Sequence, residues 1–211
     1  MGTIDRGILG GFSGKIGNVV GARWRNKDIM RAKPRKSSKE PTLLQLEQRA
    51  KFTLVSKFLN SIKLVLSTYF GSPQGDKSRL NLALSYHLKS AVAGNYPNYT
   101  MDYSQVMFSK GSLIGLTGET VNVSLTQIML DWDDNSNQSN ARTDDELLLM
   151  WYNATTDTLD FMETGALRED GNYVRTMTGL ATGMSISVWA AFRAANTSLV
   201  SSSQFLGTIT L

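Results

Sequence analysis

The chain has no cysteine, one histidine, four prolines and no apolar run near the roughly 20 residues that a membrane-spanning helix needs. Without cysteine there are no disulfides, no thiolate nucleophile and no Cys-based zinc site. A hydrolase triad needs histidine, and His87 lies between Tyr86 and Leu88 in a helical stretch, with no acid partner placed by a motif. A lone helical histidine is expected to be a surface or boundary residue rather than a base. No catalytic residue, cofactor or small-molecule substrate is therefore expected. The N-terminus lacks a basic region followed by a signal-peptide core. The expected protein is soluble, either cytoplasmic or part of an assembly exported without the Sec route, and makes no membrane contact. With 41% hydrophobic and 19% charged residues, the composition is that of a folded domain rather than a disordered chain.

What is present is unevenly distributed. Residues 1–57 hold 13 Lys/Arg against four acids, a net charge of +9, and residues 58–211 hold nine against 14, a net charge of −5. Such asymmetry suggests a polyanionic partner or head-to-tail attraction between copies. The first 21 residues contain seven glycines with single apolar residues between them, including Ile8, Leu9, Phe12 and Ile16. This pattern suits an extended arm ordered by what it packs on, since glycine allows close backbone approach; a frayed tail is the alternative.

Residues 18–32 read as a β-hairpin turning at Asn26-Lys27, with Val20, Ala22 and Trp24 on one face and Arg23 and Arg25 on the other. A basic linker, residues 35–41, leads to a long amphipathic helix from Thr42 to a Gly71-Ser72-Pro73 stop. Its stripe is Leu46, Ala50, Leu54, Phe58, Ile62, Val65 and Tyr69, widened by Val55, Leu59 and Leu66. A second helix over about 76–93 completes an αα-hairpin. From Tyr96 onward the period becomes two. Strands are predicted at about 101–109, 119–125, 127–133, 146–153, 158–163, 172–177, 184–194 and 203–211, with polar turns between. The expected fold class is α+β: a Gly-rich arm and β-hairpin (1–40), an αα-hairpin (41–95) and an antiparallel immunoglobulin-like β-sandwich (96–211).

Three places invite a chemical reading. Gly14-Lys15 is followed by Ile16 and a strand, so neither a Walker A loop nor a dinucleotide fingerprint is present. The acidic segment Asp131-Trp132-Asp133-Asp134-Asn135-Ser136-Asn137, with Asp144-Asp145-Glu146 beyond it, holds oxygen ligands of the kind Ca²⁺ prefers. It lacks EF-hand order, so Asp133, Asp134, Asn135, Asp144 and Asp145 form only a weak metal candidate beside the plainer reading of a self-capped polar loop. The basic arm carries the best functional signal: Arg23, Trp24, Arg25, Lys27, Arg31, Lys33, Arg35, Lys36 and Lys39 fall within 17 residues. Cations bind phosphate whatever the sequence, and an indole stacks on bases. The same residues also suit the acidic face of a neighbouring subunit. Ile8, Leu9, Phe12 and Ile16 are the candidate docking residues of the arm.

Three segments carry a family resemblance: Phe12-Ser13-Gly14-Lys15-Ile16-Gly17-Asn18-Val19-Val20-Gly21 with Arg23-Trp24; Gln48-Arg49-Ala50-Lys51-Phe52; and the Asp131–Asn137 run with Phe205-Leu206-Gly207. Together they resemble an uncharacterised bacterial family of about this length, a domain of unknown function. The resemblance spans nearly the whole chain and implies that arm, helices and β domain belong together. It carries over no catalytic or ligand residue.

The leading expectation is a non-enzymatic structural or assembly protein whose arm docks on a neighbouring copy or another protein. A nucleic-acid-binding module using the arm is the alternative. A carbohydrate- or Ca²⁺-binding sandwich using Trp132, Trp151 and the acidic loop is a second alternative.

Overall fold

The computed structural model describes residues 3–4, 11–24, 27–35, 38–73 and 75–211. These divide into two compact units, Met1–Gln45 and Leu46–Leu211.

The first unit is an antiparallel sheet of β1 (Thr3–Ile4), β2 (Phe12–Ile16), β3 (Val19–Trp24) and β4 (Lys27–Ala32), adjacent in that order. Part of the Gly-rich arm is thus a strand of this sheet: β2 pairs with β3 through Gly14↔Gly21, Lys15↔Val20 and Ile16↔Val19. Gly17 opens the two-residue connection at φ +58°, a conformation that costs glycine nothing. Gly21 lies beneath the backbone oxygen and ring of Phe12, where a Cβ would collide. The second hairpin is displaced by one residue from expectation, because Trp24 pairs with Lys27, which belongs to β4 and not to the turn. Residues 25 and 26 lie outside the described residues.

The division between the units falls in the first turn of α1 (Leu43–Ser61), a helix entered through a reciprocal cap. The Thr42 backbone N–H donates to Gln45 Oε1 (3.3 Å), and the Gln45 N–H donates to Thr42 Oγ1 (3.4 Å). The single long helix expected to Tyr69 is broken at Ile62, where φ −111° and ψ 22° interrupt it, and α2 (Lys63–Tyr69) continues beyond. The buried centre of this face is Val55, Leu59, Ile62, Leu66 and Phe70. It is therefore rotated toward the residues expected only to widen the stripe. α3 (Arg79–Ser90) starts at Ser78, whose hydroxyl accepts from the Asn81 N–H. A small hairpin of β5 (Val92–Asn95) and β6 (Asn98–Met101) follows.

The remaining strands are β7 (Thr120–Val123), β8 (Gln127–Asp131), β9 (Glu146–Asn153), β10 (Thr158–Leu167), β11 (Asn172–Thr176), β12 (Ser185–Arg193) and β13 (Gln204–Thr210). They make a four-stranded sheet, β10-β9-β12-β13, and a three-stranded sheet, β11-β8-β7, with every pairing antiparallel. Side-chain parity assigns the apolar residues of the central strands to one of two cores. Leu148, Met150, Tyr152, Trp189 and Ala191 join the helices. Leu147, Leu149, Trp151, Ile186, Val188, Ala190 and Phe192 join the three-stranded sheet. β9 and β12 are consequently buried on both faces, which explains runs as apolar as Leu147–Tyr152 and Val188–Phe192 where alternation was expected. Each buried Leu, Ile, Val, Met or Phe among them contributes about 1.5–3 kcal/mol of burial. The helices share a core with these strands rather than enclosing one of their own. The fold is α+β with a β-rich core.

The strand expected at 101–109 is absent. Tyr103–Gln105 form a 3-10 turn capped by Asp102, and the segment beyond has its N–H groups met one at a time. Met107 N–H donates to His87 Nε2 (3.2 Å), Phe108 N–H to Ser203 Oγ (3.0 Å) and Lys110 N–H to the Tyr69 carbonyl (3.1 Å). His87 is fully buried, contrary to the surface or boundary position expected of it.

Candidate functional site

The basic residues that sequence reasoning placed together are divided by strand register. In an antiparallel pair, residues directly opposite project to the same face. Lys15↔Val20, Val20↔Arg31, Ala22↔Ile29 and Trp24↔Lys27 therefore place Lys15, Lys27 and Arg31 on the face of Val20, Ala22, Trp24 and Ile29. Arg23, opposite Asp28, shares the other face with Phe12, Ile16, Val19, Met30 and Ala32. One face is basic with an indole, and the other is mostly apolar. Lys33 extends the ladder through its N–H to the Asn18 carbonyl (2.8 Å), and Lys33, Arg35 and Lys39 are exposed beyond it. Of the expected set, Arg25, Lys36, Ile8 and Leu9 lie outside the described residues.

Neither face holds a core among the described residues. Among the described residues of this sheet only Gly21 is buried, while Ile16 is 47%, Trp24 56% and Met30 69% exposed. A sheet of four short strands gains too little from such burial to offset the chain entropy it costs.

The acidic loop is organised around a residue that sequence reasoning passed over. Arg168 is fully buried, as is its ion-pair partner Asp145. Arg168 Nε donates to Asp145 Oδ2 (3.0 Å), Nη2 to the Ile114 carbonyl (2.9 Å), and Nη1 to the Gly115 carbonyl (3.3 Å) and to Asn135 Oδ1. The guanidinium lies 4.0 Å from the Phe192 ring centroid, and the Arg168 carbonyl accepts from Trp132 Nε1 (2.8 Å). Three loops thus close on one cation. Two of the five weak metal candidates, Asn135 and Asp145, serve this cation. Asp134 accepts the Ser136 N–H (2.9 Å), which holds its carboxyl below the usual range, and Asp144 accepts from Asn196 Nδ2 (3.0 Å). Asp133 is exposed beside Gly118. Among the described residues, no group of three or more acidic, histidine or cysteine side chains could hold a metal ion.

His87 is committed to structure in the same way. Its Nδ1 donates to the Ala83 carbonyl (2.8 Å) while Nε2 accepts from Met107. Burial holds its pKa below the ordinary 6.5, and a backbone N–H aimed at Nε2 requires a lone pair there. Among the described residues, no helix is long and apolar enough to cross a membrane.

These features define an α+β chain whose buried Arg168–Asp145 pair serves the fold and whose small N-terminal sheet exposes Ile16, Trp24 and Met30 beside basic residues. The chain belongs to the family described as "Family of unknown function (DUF6266)", whose model matches residues 11–207. No curated protein matches it. The segments that carried the resemblance have structural roles. Phe12–Gly21 forms the β2–β3 pairing, Trp132 and Asn135 enclose Arg168, and Leu206 is the extra residue of a bulge between Val188↔Gly207 and Trp189↔Phe205.

Proposed function

We propose that the protein is a non-enzymatic interaction and assembly module whose N-terminal sheet docks on a neighbouring copy or another partner protein. The observation that carries this reading is that, among the described residues of the sheet, Ile16, Trp24 and Met30 are exposed and the other apolar side chains only partly covered, so they gain burial when something covers them. Charge supports a second copy as that partner. Residues 1–45 hold ten bases and three acids, a net charge of +7; residues 46–211 hold twelve and fifteen, a net charge of −3. Exposed acids gather where Asp131, Asp133 and Asp134 meet Glu169 and Asp170, through the Asn172↔Asp131 pairing and the Trp132 N–H to Gly171 carbonyl bond. Within this reading the β body is an immunoglobulin-like sandwich, supported by antiparallel sheets of four and three strands sharing one core. Light scattering on the full chain and on residues 41–211, across a salt series, tests it. Association that weakens with salt and disappears on truncation is expected; a full chain that stays monomeric at high concentration contradicts it.

A second reading has one specific observation in its favour: register places Lys15, Lys27 and Arg31 on the face of Trp24, a basic and aromatic surface of the kind single strands use. It requires salt-sensitive binding of DNA or RNA that charge reversal at Lys27 and Arg31 abolishes.

A further inference from the structure

Apart from the docking sheet, the second unit holds a cavity of about 450 Å³ between α1, β6 and the β9–β10 turn. That volume lies within the range of small-molecule sites. We propose that this cavity binds one sugar ring, a neutral pyranose unit of a glycan. Its lining includes four aromatic rings, Phe58, Tyr99, Tyr103 and Tyr152, and one ion pair, Lys57–Asp157. Phe58 and Tyr152 meet edge to face at 5.8 Å, and Tyr103 and Tyr152 lie 5.0 Å apart. A pyranose offers the matching surface: C–H faces that pack on aromatic rings, with hydroxyls around the edge.

The polar group is equally specific. Asp157 Oδ1 accepts the Tyr152 hydroxyl (2.9 Å), and Oδ2 accepts Lys57 Nζ (2.8 Å). A carboxylate has about four acceptor positions, so some remain for ligand hydroxyls. Lys57, and then Tyr152, hold the Asp157 carboxyl below its usual range, so it is an acceptor at neutral pH. The Lys57–Asp157 pair is closed and presents no net charge to a ligand, and the Lys51 ammonium lies 4.9 Å from the Tyr99 ring centroid at the margin of the lining. The side chains of Lys57 and Asp157 are 76% and 61% exposed, so the polar end is open to solvent.

Asp157 has φ +52°, where glycine is the least costly residue. The turn is already held by Asn153 Oδ1, which accepts the N–H groups of Thr155 (2.9 Å) and Thr156 (3.3 Å). The turn alone does not require a carboxylate at this position; Tyr152, Lys57 and the cavity use it. Trp132 and Trp151, the residues of the sugar-binding alternative expected from sequence, do not line this cavity and belong to the core shared with the three-stranded sheet.

The test is ligand-observed NMR on the full chain with methyl glycosides of glucose, galactose, mannose and N-acetylglucosamine and their β-linked disaccharides. Glucuronate and tetramethylammonium are the charged comparisons. Asp157→Gly removes the carboxylate yet suits the left-handed turn, and Tyr99→Ala removes a ring from the β5–β6 hairpin. The proposal expects saturable binding of at least one neutral sugar, weakened at least about tenfold in both variants. Silence across the neutral panel, binding of a charged probe alone, or affinity unchanged in either variant overturns it.

Discussion

Replacing Arg168 by methionine is expected to be among the most damaging single changes in the second unit. The side chain is buried with its partner Asp145, and its nitrogens serve Asp145 Oδ2, Asn135 Oδ1 and the carbonyls of Ile114 and Gly115. Methionine fills similar space but donates nothing. Asp145 then keeps only the Arg142 N–H at Oδ2, since Oδ1 already has no hydrogen-bond partner among the described residues. Removing one member of a buried pair leaves an uncompensated charge and costs about 3–5 kcal/mol, a large part of the roughly 5–15 kcal/mol that holds a domain folded. For a chain of this size that corresponds to a fall in Tm of about 6–20 °C. Urea unfolding followed by tryptophan fluorescence measures it, with Trp132 bonded to the Arg168 carbonyl as a local reporter. The double variant Arg168→Met/Asp145→Leu removes the stranded charge and is expected to recover at least about 2 kcal/mol of the single variant's loss. A single variant that loses less than about 1 kcal/mol, or a double variant no better than the single, refutes the reasoning.

His87 gives a pH dependence of definite sign. Its folded pKa lies below the ordinary 6.5, so the unfolded chain binds the proton first. The stability associated with neutral His87 is complete above pH 6.5. It falls by up to about 1.4 kcal/mol per pH unit as pH drops from there toward the folded value. Urea midpoints between pH 7.5 and about 5 check this, and a His87→Leu variant with the same slope removes the assignment. Gly21→Ala places a Cβ against the backbone oxygen and ring of Phe12. It is expected to loosen the β2–β3 pairing, read as faster protease cleavage within residues 11–24; an unchanged cleavage pattern contradicts that packing. Gly118→Ala meets both a left-handed φ of +64° and the Asp133 carboxylate. A loss of about 1–3 kcal/mol is expected by urea unfolding, and a neutral result would mean that the loop relaxes.

Much of the β domain was legible because turn chemistry and β-rich runs are local signals. β9 matches its expected bounds, and β7, β8, β11, β12 and β13 fall within two residues of theirs. What was not legible depends on distant partners. The segment after Met101 looks like a strand, but its donors are met by His87, Ser203 and the end of α2 instead of a ladder. The double burial of β9 and β12 follows from helices covering one face of their sheet, which period alone does not reveal. Arg168 sits in the ordinary charged run Arg168-Glu169-Asp170, while its partners lie 23 to 54 residues away. The acidic loop resembled a cation site because its composition is visible and the buried guanidinium it serves is not. The basic arm was visible as composition, but its division into a basic face and an apolar face required the register of β2, β3 and β4.

If the apolar face of the N-terminal sheet docks on a partner, most simply another copy, then charges placed on that face abolish the assembly. Sedimentation velocity of the full chain beside an Ile16→Asp/Met30→Asp variant tests it most directly. Both changes lie at exposed positions of β2 and β4 and remove no backbone hydrogen-bonding group. A concentration-dependent assembly is expected for the full chain and a monomer for the variant, at matched salt and with circular dichroism unchanged. Identical sedimentation of the two, whether as monomer or as assembly, contradicts it.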